Sequence, residues 1–133
     1  MTPFTLVLQD ARHAERIAGV TSFIGEDASG SFGILGGHAR TMSVLVMGLA
    51  RFRCGEGEWE YLALPGGVLY YVGDVLTLST RHYLRDTDYS RISAALRDQL
   101  LAEEQRLRRV RQSLRQLEAE LLRRMWEMGR LEA

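Results

Sequence analysis

Two different spacings of apolar residues divide the chain. From Phe4 to about Leu84, apolar and polar positions alternate in twos and glycine recurs every few residues, the pattern of half-buried strands joined by tight turns. In "FTLVLQD", Phe4, Leu6 and Leu8 share one face. In "ARFRC", Ala50, Phe52 and Cys54 share one face with Arg51 and Arg53 opposite, so these arginines face water or a partner. "ARFRCGEGEWEYLA" reads as a hairpin. An even-length turn, either Glu56-Gly57 or Gly55 to Glu58, sets Cys54 across from Trp59 and Arg53 across from Glu60. An odd loop would place arginine and tryptophan on the same face, so the even register is the expected one. "GGVLYYVGDVLTLST" predicts a second hairpin, whose Gly73-Asp74 turn pairs Val72 with Val75, Tyr71 with Leu76 and Leu69 with Leu78. Several short strands at this spacing imply a sandwich or a barrel.

From Asp88 onward the period changes to that of a helix. No proline occurs there, Gly129 is the one glycine, and good helix formers dominate. Asp86, Thr87 and Asp88 are all suited to cap its start. The apolar residues fall on a heptad: Leu100, Leu107, Leu114, Leu121 and Met128 hold one position, and Tyr89, Leu96, Val110, Leu117 and Leu131 the other. Glu103 and Arg124 break the second position. A helical hairpin could turn at "AEEQR", yet no turn residue stands there. An unbroken helix of some 40 residues would run about 60 Å and would need a partner surface for its leucines.

Composition narrows the chemistry. The 133 residues suit one domain, or a small domain with an appendage, and the formal net charge of zero argues against nucleic acid and for a protein partner. All 17 basic residues are arginine, which excludes lysine catalysis and keeps planar forks suited to carboxylates and phosphates. The single cysteine, Cys54, cannot form an intramolecular disulfide or a cysteine metal cluster, and fits a reducing, intracellular compartment. No apolar run reaches the roughly 20 residues that span a bilayer, and "MTPFTLVLQDARH" lacks the layout of a signal peptide. The expectation is a chain neither secreted nor membrane-spanning.

The densest candidate for a site is "SFGILGGHAR", residues Ser31, Phe32, Gly33, Ile34, Leu35, Gly36, Gly37, His38, Ala39 and Arg40. A phosphate cradle needs its glycines between a strand and a helix N-terminus, but the next stretch, "TMSVLVMGL", looks like strand. A catalytic His38 would need a nucleophile, for which only Ser31, Thr41 and Ser43 can be nominated. His13, His38 and His82 are too scattered for metal-ligand spacing, so no metal is expected. The plain reading is a glycine-permitted connection between two strands, with Phe32, Ile34 or Leu35 turned into the core.

"GSFGILGGHARTMSVLVMGLARFR" followed by "LPGGVLYYVGDVLTLST" resembles the epsilon subunit of F-type ATP synthases. The family pattern runs Gly-x-Phe/Val-Gly-Ile/Val-Leu-Pro-Gly-His-Ala-Pro, then a strand ending in Gly, then Gly-Gly-Phe and a last strand. Gly33, Ile34, Leu35, Gly37, His38, Ala39, Gly48, Gly66 and Gly67 fall on its positions, while Gly36 and Arg40 stand where proline is usual. The loop should then be less rigid and carry an added cation. These departures fit a divergent or alternative bacterial form of the kind associated with sodium-translocating enzymes.

The resemblance implies an α+β architecture: an antiparallel β-sandwich over 1–85, then a C-terminal long helix or helical hairpin over 86–133. It also implies a non-catalytic central-stalk subunit, peripheral on the cytoplasmic face of the bacterial inner membrane and tied to the membrane only through its complex. In that role the sandwich binds the gamma subunit, and residues 31–40 dock on gamma and the c-ring, transmitting rotation without bond chemistry. The family's helical half can rise into the catalytic head and restrain ATP hydrolysis. Arg106, Arg108, Arg109, Arg111, Arg115, Arg123 and Arg124 would then meet acidic residues of the alpha and beta subunits. Some members bind regulatory ATP through Ile/Leu-Asp-x-x-Arg-Ala, of which "TDYSRI" keeps Asp88 and Arg91; no other cofactor is implied. A reading from another class is a β-sandwich adaptor that dimerises through a C-terminal coiled coil.

Overall fold

A computed structural model describes residues 2–132, with side chains as far as residue 129. The chain divides into two compact units, one through Leu96 and one from Arg97 onward. The first unit holds ten strands: β1 (Phe4–Gln9), β2 (Ala14–Val20), β3 (Ser22–Asp27), β4 (Gly30–Leu35), β5 (Thr41–Leu45), β6 (Gly48–Arg53), β7 (Glu60–Leu64), β8 (Gly67–Val72), β9 (Val75–Ser79) and β10 (Leu84–Asp86). Helix α1 (Tyr89–Glu132) follows, and the boundary between the units falls inside it.

The strands form the two layers of a β-sandwich, β4-β3-β6-β7-β10 and β5-β8-β9-β1-β2, all antiparallel except β1 against β9. A single register pair, Asp27↔Leu45, joins the layers along one edge. Along the other edge side chains do the joining: the Arg85 guanidinium sits 2.7 Å from Glu60 and 3.4 Å from Glu15, and the Tyr83 hydroxyl donates to Glu15 at 2.9 Å. Burial and the Glu15 carboxylate push the Tyr83 phenol up to about 12, so it stays a donor throughout the physiological range. Between the layers lies the core, in which the alternation of β1 buries Phe4, Leu6 and Leu8 as expected, beside Leu69, Tyr71 and Leu78 of the same layer and with Phe23, Ile34 and Phe52 coming from the other.

The β8–β9 hairpin has the expected register, Val72↔Val75, Tyr71↔Leu76 and Leu69↔Leu78. Gly73 (φ 56°) and Asp74 (φ 59°) are both left-handed, which is the twist a two-residue hairpin turn requires. The β6–β7 hairpin corrects the expectation by one residue. Phe52 pairs with Glu60, an odd register that brings Arg51, Arg53 and Trp59 onto one face. Both guanidinium carbons lie 4.6 Å from the Trp59 ring centroid, so the arrangement rejected on polarity grounds is held by stacking of planar cations on an indole. Trp59→Ala should therefore lose about 1–2 kcal/mol of stability, two partly exposed cation–π contacts, in urea unfolding followed by far-UV circular dichroism. The stretch "TMSVLVMGL" is likewise not one strand: β5 ends at Leu45 and β6 starts at Gly48.

Helix α1 is continuous, and no turn interrupts it at "AEEQR"; of the two expected forms, the long helix is the one observed. Asp88 is its N-cap, its carboxylate accepting the Arg91 amide at 3.2 Å and its carbonyl the Ile92 amide at 3.1 Å. Within the first unit Ile92 is buried and the Tyr89 ring meets Tyr61 edge-on at 5.3 Å. From Leu100 to Met128 the heptad leucines, Val110 and Met128 are all exposed; the Leu131 side chain lies outside the described residues.

Candidate functional site

The stretch 31–40 forms the free edge of one layer and the turn that carries the chain to the edge of the other. β4 pairs only with β3, from Ser31↔Glu26 to Leu35↔Ser22. Upstream, the Asp27 carboxylate fixes the β3–β4 turn by accepting the Ser29 hydroxyl at 2.6 Å and the Ser29 amide at 2.8 Å, and these bonds hold it below its usual pKa. Ile34 enters the core and Phe32 packs on its margin, whereas Leu35 turns outward and is 54% exposed.

The turn itself is Leu35-Gly36-Gly37-His38, closed by the His38 amide donating to the Leu35 carbonyl at 3.2 Å. Gly37 is left-handed (φ 79°) and Gly36 is not, the signature of a type II turn, in which proline suits the second position and glycine the third. The geometry that the family's Pro-Gly favours is thus kept. What excludes a side chain at 36 is the amino-terminal segment: a Cβ there would stand 1.6 Å from the Thr2 carbonyl oxygen.

His38 donates from Nδ1 to the Ala39 carbonyl at 2.7 Å and meets the buried Tyr71 ring edge-on at 6.0 Å. Tyr71 in turn donates to Asp74 at 3.2 Å. Burial first, and then Asp74, raise the Tyr71 pKa, while a backbone hydrogen bond from Gly37 works the other way. The turn is therefore pinned to a core residue. Of the nominated nucleophiles, Ser43 donates instead to Asp27 at 3.4 Å, and Ser31 lies out on β4. His13 and His82 sit in other connections, β1–β2 and β9–β10.

Arg40 folds back along the outer face of β8, its guanidinium 2.7 Å from the Tyr70 hydroxyl and 5.6 Å from the centroid of that ring. It marks the end of a surface that the alternation of β5 does not announce. β5 pairs with β8 so that Met42 stands opposite Tyr70 and Val44 opposite Val68. All four side chains point away from the core, as does Val72, and Met42 and Val44 are each 67% exposed, Val68 43% and Val72 40%. The available signal was β8 itself: "GVLYYV" is apolar at both parities, as expected of a strand covered on both faces.

The remaining candidates lie on α1. Arg91 is held by Asp86, which accepts its Nε at 2.6 Å and its Nη2 at 2.9 Å. This bidentate bond, helped by the Asp88 amide, lowers the Asp86 pKa to about 2. Because the folded value lies below the ordinary 3.8, the stabilisation is full above pH 4 and lost as pH falls through 2. Asp86→Asn should thus melt below the parent at pH 7, and the gap should close between pH 4 and pH 2 in thermal melts. Arg108 pairs with Glu104 at 3.6 Å and Arg124 with Glu120 at 3.0 Å. Among the described residues Arg106, Arg109, Arg111, Arg115 and Arg123 have no carboxylate partner.

Comparison with known proteins gives this geometry a family. Residues 4–86 match the ATP synthase delta/epsilon chain β-sandwich domain. The chain is 37% identical over 123 residues to ATP synthase epsilon chain 2 of Cereibacter sphaeroides, covering 92% of this chain and 80% of that one. Its fold is similar to a chain in the Euglena gracilis mitochondrial ATP synthase OSCP/F1/c-ring structure (TM-score 0.60, 18% identity, 74% of this chain). A chain in the Tetrahymena thermophila mitochondrial ATP synthase central stalk/c-ring structure is also similar (TM-score 0.52, 12% identity, 60% of this chain). The chain spans 64% of the length of each of these two. The matched sandwich and the near full-length relative together show that the chain belongs to the ATP synthase delta/epsilon chain family.

Proposed function

We propose that this chain is a non-catalytic rotor subunit of the central stalk of an F-type ATP synthase, coupling c-ring rotation to ATP synthesis. The observation that carries the reading is the exposed apolar face of β5 and β8, continuous with the pinned turn at His38. A monomer seldom leaves such a face open, and a face built on a rigid sandwich suits a subunit that passes on torque. The gamma subunit covers Met42, Val44, Val68 and Val72, and the stretch 31–40 reaches gamma and the c-ring. Arg40, already oriented by Tyr70, presents its charge to a polar or acidic loop there. None of the described helices is long and apolar enough to cross a membrane. In the proposed role the tie to the bacterial inner membrane, on its cytoplasmic face, runs through the complex. Residues 1–85 serve as the docking module and 86–133 as the regulatory one, whose unpaired arginines approach the alpha and beta subunits and restrain hydrolysis.

Affinity purification of the tagged full chain, co-expressed with its cognate gamma subunit and c-ring, tests this. Stoichiometric recovery of both is the expected result. Recovery of the chain free of every ATP synthase subunit would overturn the reading.

A further inference from the structure

We propose that the unassembled chain associates with a second copy of itself through α1, as an antiparallel coiled coil over residues 103–128. The seam is the exposed stripe of Leu107, Val110, Leu114, Leu117, Leu121 and Met128, interrupted by Glu103 and Arg124. All of it lies in the second unit. An apolar stripe of this length on a lone helix is stable in water only when covered.

Charge selects both the occupant and its direction. A parallel pair would stack Glu103 on Glu103 and Arg124 on Arg124 inside the seam, and would set Arg106 beside Arg111 on both flanks, four like-charge contacts. An antiparallel pair avoids them. In the register where Leu114 faces Leu117 of the second copy, Val110 faces Leu121, Leu107 faces Arg124 and Glu103 faces Met128. Glu103 and the second copy's Arg124 then occupy adjacent layers, so the two polar breaks of the stripe meet as opposite charges. On the flanks Arg111 lies beside Glu118 and Arg106 beside Glu127, each contact made twice by symmetry. A slip of one heptad in one direction sets Glu104 against Glu118 and Arg111 against Arg111. A slip in the other sets Glu118 against Glu118 and Glu120 against Glu120. Of these three registers only the first satisfies seam and flanks together, and it leaves residues 89–96, where Ile92 is buried within the first unit, undisturbed.

Sedimentation equilibrium of the isolated full chain should give about twice 15.1 kDa at micromolar concentration. Arg111→Glu should weaken association about tenfold or more, and adding Glu118→Arg to it should restore the parent's affinity. Spin labels on Ala102→Cys in a Cys54→Ser background should lie about 40 Å apart along the axis, against roughly 20 Å or less in a parallel pair. A monomer up to about 100 µM, a short label distance, or failure of the double variant to recover would each overturn the proposal.

Discussion

A chain carrying Met42→Asp and Val44→Asp should fold normally and fail to assemble, with gamma-subunit affinity reduced by at least about a hundredfold. Both side chains are 67% exposed, so the free sandwich loses no core contact on their replacement. Covered by a partner, each would contribute on the order of 1.5–3 kcal/mol of apolar burial, and each carboxylate would instead be buried without a counter-charge. Two such losses exceed the 2.7 kcal/mol or so that a hundredfold change represents. Binding of the labelled variant to gamma, with a thermal melt as control for folding, measures this. A variant that binds like the parent would remove β5 and β8 from the interface and with them the basis of the rotor reading.

Ending the chain after Leu96 should raise ATP hydrolysis by the assembled enzyme on the order of tenfold, with synthesis coupling retained. The cut removes the second unit and every one of Arg106, Arg108, Arg109, Arg111, Arg115, Arg123 and Arg124, while keeping the Asp88 cap, the Asp86–Arg91 bond and buried Ile92. Tenfold corresponds to about 1.4 kcal/mol, which several charge-assisted contacts to acidic residues readily supply. Hydrolysis equal to that of the intact complex would dissociate the helix from regulation and leave the docking function standing.

Where one side of an element is buried, the chain spelled out its structure. β1 could be read from Phe4, Leu6 and Leu8, and the β8–β9 turn from Gly73-Asp74, because burial and left-handed backbone each admit few residues. The β6–β7 register is not legible from alternation, which treats Arg53 as purely polar, whereas its guanidinium carbon stands 4.6 Å over the Trp59 ring. The outer face of β5 was hidden by the opposite ambiguity. Met42 and Val44 alternate with Thr41 and Ser43 as core residues would, yet it is the apolar pair that faces out. Period alone says that a strand has two faces, and only its neighbours say which one is inside. The reason for Gly36 was illegible for a third cause: the atom that forbids a side chain there belongs to Thr2, far away in sequence.

The shortest strand, β10, holds the sandwich by three register pairs with β7 and leads through two residues into α1. A pull on the helix therefore loads this strand along the chain, together with the Tyr89–Tyr61 contact and buried Ile92 of the first helical turns. Antiparallel strands peeled from one end release their hydrogen bonds in turn, so β10 is the mechanical fuse of the molecule. Asp86, its last residue, is gripped by Arg91 of the helix, and Arg85, one place earlier, by Glu60 and Glu15. These ion pairs sit at the point of loading and, with buried Ile92, tie the strand and the helix start to the sandwich.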